Sequence, residues 1–176
     1  MIEKYLTGIF LTLLLYPSVL LAGEPKSIAG ISFTAPDAWK ETQPSSSMRA
    51  FQFEVPGEGD QKAELAVFYF GEGQGGDIQG NIDRWKAQFT ELKDDQQSEK
   101  TISDAKIHQV LLEGTYQQSG GPMMAAVGEP LKEAALLGAI IEAPQGAVFL
   151  KMTGPGAVVK KAAPDFEALL NSLKKS

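Results

Sequence analysis

Apolar and polar positions alternate most cleanly over Arg49–Val55, with Phe51, Phe53 and Val55 on one face and Ala50, Gln52 and Glu54 on the other. A period of two marks a strand with one buried side. Pro56-Gly57-Glu58-Gly59-Asp60 supplies a turn, and Glu64–Phe70 (ELAVFYF) is apolar on both faces. The two segments predict an antiparallel hairpin whose second strand lies nearer the sheet centre. Upstream, Ile31–Ala35 alternates weakly and runs into Pro36-Asp37-Ala38-Trp39, so it predicts a short strand leaving into a turn, with loop over Thr42–Ser47. The period changes over Asn81–Lys93, where Ile82, Trp85, Phe89 and Leu92 recur at helical spacing. That is an amphipathic helix with one buried stripe. The charged stretch Asp94–Lys100 reads as a linker, and Thr101-Ile102 and Ala105–Tyr116 as strand pieces.

Gln117–Glu133 is the longest irregular stretch, and loops of this length are functional or mobile. Ala135–Glu142 and Ala147–Met152 flank Ala143-Pro144-Gln145-Gly146 and predict a second hairpin, with Thr153-Gly154-Pro155-Gly156 ending the sheet. Val159, Ala162, Phe166, Leu169, Leu170 and Leu173 then form one stripe that runs unbroken past Pro164, which falls on the solvent side. One kinked helix fits that register. The predicted fold class is α+β: an antiparallel sheet of about six strands covered by two main helices.

The first residues set a location. Met1–Lys4 carries one basic side chain, Tyr5–Leu15 is apolar, Pro17 breaks the run, and Leu20-Leu21-Ala22-Gly23 offers small residues for cleavage. This is the pattern of a secretory signal peptide, expected over residues 1–22, leaving 23–176 as a single α+β domain. A membrane anchor is the competing reading, since a spanning helix takes roughly 20 apolar residues. Thr7, Gly8, Thr12, Pro17 and Ser18 confine the strongly apolar core to Ile9–Leu15, which suits a signal better. Glu24 stands where a lipoprotein box requires cysteine, so no lipid anchor is expected. The predicted location is periplasmic or secreted, in a bacterium.

Composition narrows the chemistry. The chain is 43% hydrophobic and 22% charged, a globular balance. It has no cysteine, and a domain of this size folds without staples. With a net charge of −6 and only two arginines, Arg49 and Arg84, it is poorly equipped to neutralise phosphates, so nucleic acid is not an expected partner. The doublets Lys160-Lys161 and Lys174-Lys175 read as a solvated helix face and its end.

These elements, taken in order, resemble a known family. The Ile31–Pro36 strand entering a Pro-x-x-Trp turn (Pro36 to Trp39), the hairpin, the helix, the later strand pair and the closing Asp165–Leu173 helix are similar to the PsbP-like and Mog-like superfamily of antiparallel α/β sandwiches. SSSMRAFQF (Ser45–Phe53), AVFYFG (Ala66–Gly71), NIDRWKAQF (Asn81–Phe89), LLGAIIE (Leu136–Glu142) and FLKMTGP (Phe149–Pro155) further resemble a group of uncharacterised exported bacterial proteins of that shape. The resemblance spans nearly all of Ile31–Leu173 and rests on packing and turn signatures. Superfamily members serve as extrinsic photosystem subunits, as a small-GTPase partner or as adaptors. It therefore implies a sandwich fold and a non-enzymatic role, and maps no binding residue.

Candidate sites are few. Gly71-Glu72-Gly73-Gln74-Gly75-Gly76 spells G-x-G-x-x-G between a strand and a helix. Glu72 and Asp77 repel phosphate and no parallel βαβ unit follows, so it reads as a loop. His108, the only histidine, has no second histidine or cysteine beside it and reads as a strand residue. Arg49, after Ser45-Ser46-Ser47-Met48, can grip a partner's carboxylate or pair internally with a neighbouring acid. Trp85 and Phe89 read as core. Met123, Met124, Val127 and Leu131 in the long stretch suit an adaptable apolar contact surface or a cover for the sheet edge. Thr153–Gly156 can form an anion nest or a plain helix start. No serine lies in a G-x-S-x-G elbow.

The sequence thus predicts a monomeric, non-enzymatic binding or adaptor domain of the bacterial envelope, with no catalytic residue, cofactor or metal. Its partner is another envelope protein or a small apolar-plus-anionic ligand, met by Arg49, Met123, Met124, Val127 and Leu131. An enzyme working through carboxylates is the alternative, requiring two of Glu54, Glu64, Glu113 and Glu142 to meet in a pocket with raised pKa values. A purely structural periplasmic component is the third.

Overall fold

The computed structural model describes residues 23–117 and 128–176. The chain runs through β1 (Lys26–Ile28), β2 (Ile31–Phe33), β3 (Lys40–Thr42), β4 (Arg49–Pro56) and β5 (Lys62–Tyr69) to α1 (Ile78–Lys86). It continues through β6 (Phe89–Ile102), β7 (Ala105–Tyr116), β8 (Leu131–Ala143) and β9 (Gly146–Pro155) to α2 (Gly156–Asn171) and β10 (Lys174–Lys175). Among the described residues, the main sheet has seven strands in the order β3-β4-β5-β9-β8-β7-β6, and every neighbouring pair is antiparallel. A second sheet, β1-β2-β10, has three. The expected α+β class and antiparallel pairing stand, and the count of about six strands is corrected upward.

Each face of the main sheet carries a helix. One face packs Phe53, Val55, Leu65, Val67, Leu150 and Met152 against Val159, Phe166 and Leu170 of α2, with Ile31 and Phe33 of the small sheet beside them. The other packs Val110, Leu112, Leu136, Ile140 and Phe149 against Ile82 and Trp85 of α1. Residues 134–141 of β8 are buried throughout, because this central strand is covered on both sides. Burying one such aliphatic side chain stabilises the fold by roughly 1.5–3 kcal/mol. Pro164 lies inside α2 on its exposed side, so the final segment is one helix, as its register predicts.

The expected helix over Asn81–Lys93 is corrected. α1 starts at Ile78, where Asp77 caps it by accepting from the Gly80 N–H at 2.8 Å, and it ends at Lys86. Phe89 then opens β6, and the stretch read as a linker, Asp94–Lys100, is the middle of that strand. The pairing of β6 with β7 along their length overrides the local helical spacing. An edge strand exposed on both faces has no alternation to display, and its charges discourage further pairing. β8 begins at Leu131, inside the stretch expected to be irregular.

Candidate functional site

α1 is short, nine residues or about 14 Å at 1.5 Å per residue, and it covers only part of its face. Its Trp85 sits on Gly138, where a Cβ would come within 2.4 Å of the indole ring. Glycine at this position is what lets the helix lie so close to the sheet. Beyond Trp85 the same face continues onto β9, β5 and β4, and there it turns polar. A shallow concavity of about 410 Å³ lies on this stretch, bounded by Gln52, Glu54, Glu64, Tyr116, Leu131 and Thr153 among others.

Two β-bulges furnish this face. By strict alternation Arg49 would share a side with Phe51 and Phe53, which face the α2 core. The register shifts between Arg49 and Phe51, so Arg49 pairs with Phe68 and places its guanidinium 5.8 Å from the Phe68 ring centroid. Likewise Leu131 would share a side with Ala135 and Leu137. The shift between Gly114 and Tyr116, with Glu133 held at φ +49°, turns Leu131 to the concavity instead. An extra residue in one strand re-aims the side chains beyond it. Two residues singled out in the sequence thus reach the same face by the same device.

The polar groups form two linked sets. Arg49 Nη1 donates to Glu64 at 2.5 Å and to Gln52 Oε1 at 2.9 Å, while the Gln52 amide donates to the other Glu64 oxygen at 2.9 Å. The Ser45 N–H also donates to Gln52 Oε1, at 2.8 Å, which ties the preceding loop to the set. In the second set, Lys151 Nζ donates to Gln88 Oε1 at 2.6 Å and to the Tyr116 hydroxyl at 3.1 Å. Lys151 is half-buried and both of its partners are neutral. Burial, reinforced by Arg49 and opposed by Glu64, lowers its pKa to about 8. Burial, followed by the charge of Glu64, pushes the Tyr116 phenol up to about 12. Tyr116 therefore stays protonated at any physiological pH and serves as a hydrogen-bond donor or acceptor.

The remaining candidates separate from this face or take structural roles. Met123, Met124 and Val127 lie outside the described residues. His108 stands on β7 with Nδ1 2.8 Å from Glu99 and Nε2 2.7 Å from Glu142, a cross-link between β6 and β8. The Gly71–Gly76 loop is mostly exposed and is tied down at Gly75, whose carbonyl accepts from Asn81 at 2.8 Å and where Phe149 packs in the place a Cβ would take. Thr153–Pro155 continue β9, and Gly156 opens α2 without a side-chain cap. Glu113 pairs with Lys160. Glu54 and Glu64, however, are register partners, and both bound the concavity. Glu54 pairs with Lys62 at 2.6 Å, a hydrogen bond that holds its carboxyl below the usual range. The raised carboxylate that acid–base chemistry requires is not found at Glu54. Sequence reasoning missed Gln88, Tyr116 and Lys151, although Lys151 gave a signal as the one charge within Ala147–Met152.

Comparison with known proteins places the fold. No family model and no curated protein matches the sequence. Among solved structures, the solution structure of cyanobacterial PsbP (CyanoP) from Synechocystis sp. PCC 6803 superposes with a TM-score of 0.53 at 11% identity, covering 90% of this chain and 96% of that one. A protein of unknown function, PA94 from Pseudomonas aeruginosa, superposes with a TM-score of 0.50 at 15% identity, covering 85% and 94%. The chain has a PsbP-like fold. Among the described residues, no helix is long and apolar enough to cross a membrane.

Proposed function

We propose that the chain is an exported, monomeric binding or adaptor domain of the bacterial envelope, and that it holds its partner on the part of the α1-side face that α1 leaves uncovered. The observation that carries this reading is the ordered polar surface there, Arg49–Gln52–Glu64, set beside a concavity that the exposed Leu131 borders. Leu131, 40% exposed, and Phe70, 41% exposed, stand at opposite ends of this face along the strand direction, in positions where burial would be favourable. Hydrogen-bonded polar groups already fixed in place lose little entropy when a partner docks. Export rests on the Met1–Gly23 pattern.

The pairing of Glu54 and Glu64 across β4 and β5 supports the carboxylate-enzyme alternative by position only. Each is occupied by its own cation, Lys62 and Arg49. Two experiments test the main reading. Cell fractionation places the protein outside the cytoplasm, and recovery in the cytoplasm removes the export claim. Affinity capture from envelope extract with wild type and with Leu131→Asp, a change at an exposed position whose folding is checked by circular dichroism, tests the face. Loss of the captured species with the variant supports it, and equal capture removes Leu131 from the account.

A further inference from the structure

We propose that Lys151 is a carbonyl-capturing amine, forming an imine with a small aldehyde or keto compound that reaches it beside Tyr116. The inference goes beyond the partner-binding reading and does not depend on it. Its basis is the way Lys151 differs from the other lysines. Among the described residues, nine lysine amines meet a carboxylate within 3.0 Å, and three more, Lys40, Lys132 and Lys174, are exposed. Lys151 meets only the Gln88 carbonyl oxygen and the Tyr116 hydroxyl, which use two of its three N–H groups.

The position is a central strand, where an apolar residue is the ordinary occupant. On the two flanking strands the register partners of Lys151 are Ala66 and Gly138, a methyl group and no side chain at all. Trp85 fills the space at Gly138, so the lysine stem lies between an indole wall and the small Ala66. Tyr116 and Thr153, the next residue of β9 on the same face, both bound the concavity. Lys151 is therefore half-buried, and its partner Tyr116 bounds a space that admits a small molecule.

Burial and the nearby Arg49 charge lower the proton affinity of this amine to about 8. Roughly half of it is neutral at pH 8, against about one part in three hundred for an ordinary lysine. The neutral nitrogen adds its lone pair to the carbonyl carbon, and a proton passes from nitrogen to the carbonyl oxygen to give a carbinolamine. The Tyr116 hydroxyl donates a proton to the departing hydroxyl group and regains one from the nitrogen. The carbon–oxygen bond breaks, water leaves, and the carbon–nitrogen double bond forms. One amine and one carbonyl compound give one imine and one water, with no oxidant or reductant.

The test uses the whole mature protein with glyoxylate as the probe, borohydride to reduce any imine, and peptide mass spectrometry to locate the resulting carboxymethyl-lysine. At pH 8, labelling of Lys151 is expected to exceed that of the exposed Lys40 and Lys174 by about tenfold or more. Its rate is expected to rise with a midpoint near pH 8, and Tyr116→Phe is expected to slow it without changing the labelling of Lys40. Labelling of Lys151 no faster than Lys40, or a midpoint above pH 10, overturns the proposal. The comparison between lysines of the wild-type chain needs no variant to fold.

Discussion

A lysine placed between Leu150 and Met152, both fully buried, carries a desolvation cost that depends on pH. Its proton affinity falls from the ordinary 10.5 to about 8 on folding, so between those values the unfolded chain holds more protons than the folded one. Folding stability therefore rises with pH across this window, by at most about 1.4 kcal/mol per pH unit. Tyr116 acts in the opposite sense. Its phenol titrates near 12 folded against 10 unfolded, so above pH 10 it favours the unfolded chain. Urea denaturation from pH 7.5 to 10 should show a rise that Lys151→Met flattens, and a flat wild-type profile would contradict the burial argument. Gly138 makes an equally local claim. Gly138→Ala drives a methyl into Trp85 and should destabilise the protein by about 1–3 kcal/mol in the same assay.

Among the elements, the strands with one buried face were readable because alternation is a direct image of burial. Phe51, Phe53 and Val55 of β4 behave that way, and β8 reveals its central place by being apolar on both faces. Helix α1 ends earlier than its apolar spacing predicts. Phe89 and Leu92 continue a helical spacing from Ile82 and Trp85, yet Phe89 is buried against Tyr116 in the sheet and Leu92 is 39% exposed. Nothing local distinguishes those positions, because the decision lies in the long-range pairing of β6 with β7. The start of α1 has a local determinant. Asp77→Ala removes the acceptor for the Gly80 N–H and should cost about 1 kcal/mol, read as a lower denaturation midpoint. The bulges at β4 and β8 were invisible for the same reason as β6, and they decide which side Arg49 and Leu131 face. Alternation alone points both the wrong way.

For the whole molecule, two helices of unequal reach explain why one face is finished and the other is not. α2, sixteen residues long, and the small sheet cover one side of the main sheet. α1, nine residues long, leaves the β4–β5–β9 region of the other side to polar groups. The fold class and the sandwich resemblance were legible because they depend on element order. The site was legible at Arg49, Leu131, Glu54 and Glu64, whereas Gln88, Tyr116 and Lys151 are far apart in sequence and meet only in space. This open face is the proposed meeting point with the partner. It is tested most directly by placing a photo-crosslinking amino acid at Leu131 and, separately, at the exposed Lys161 of α2, in the native host. A discrete cross-linked species is expected from position 131 and none from position 161. Cross-linking from 161 alone would contradict it.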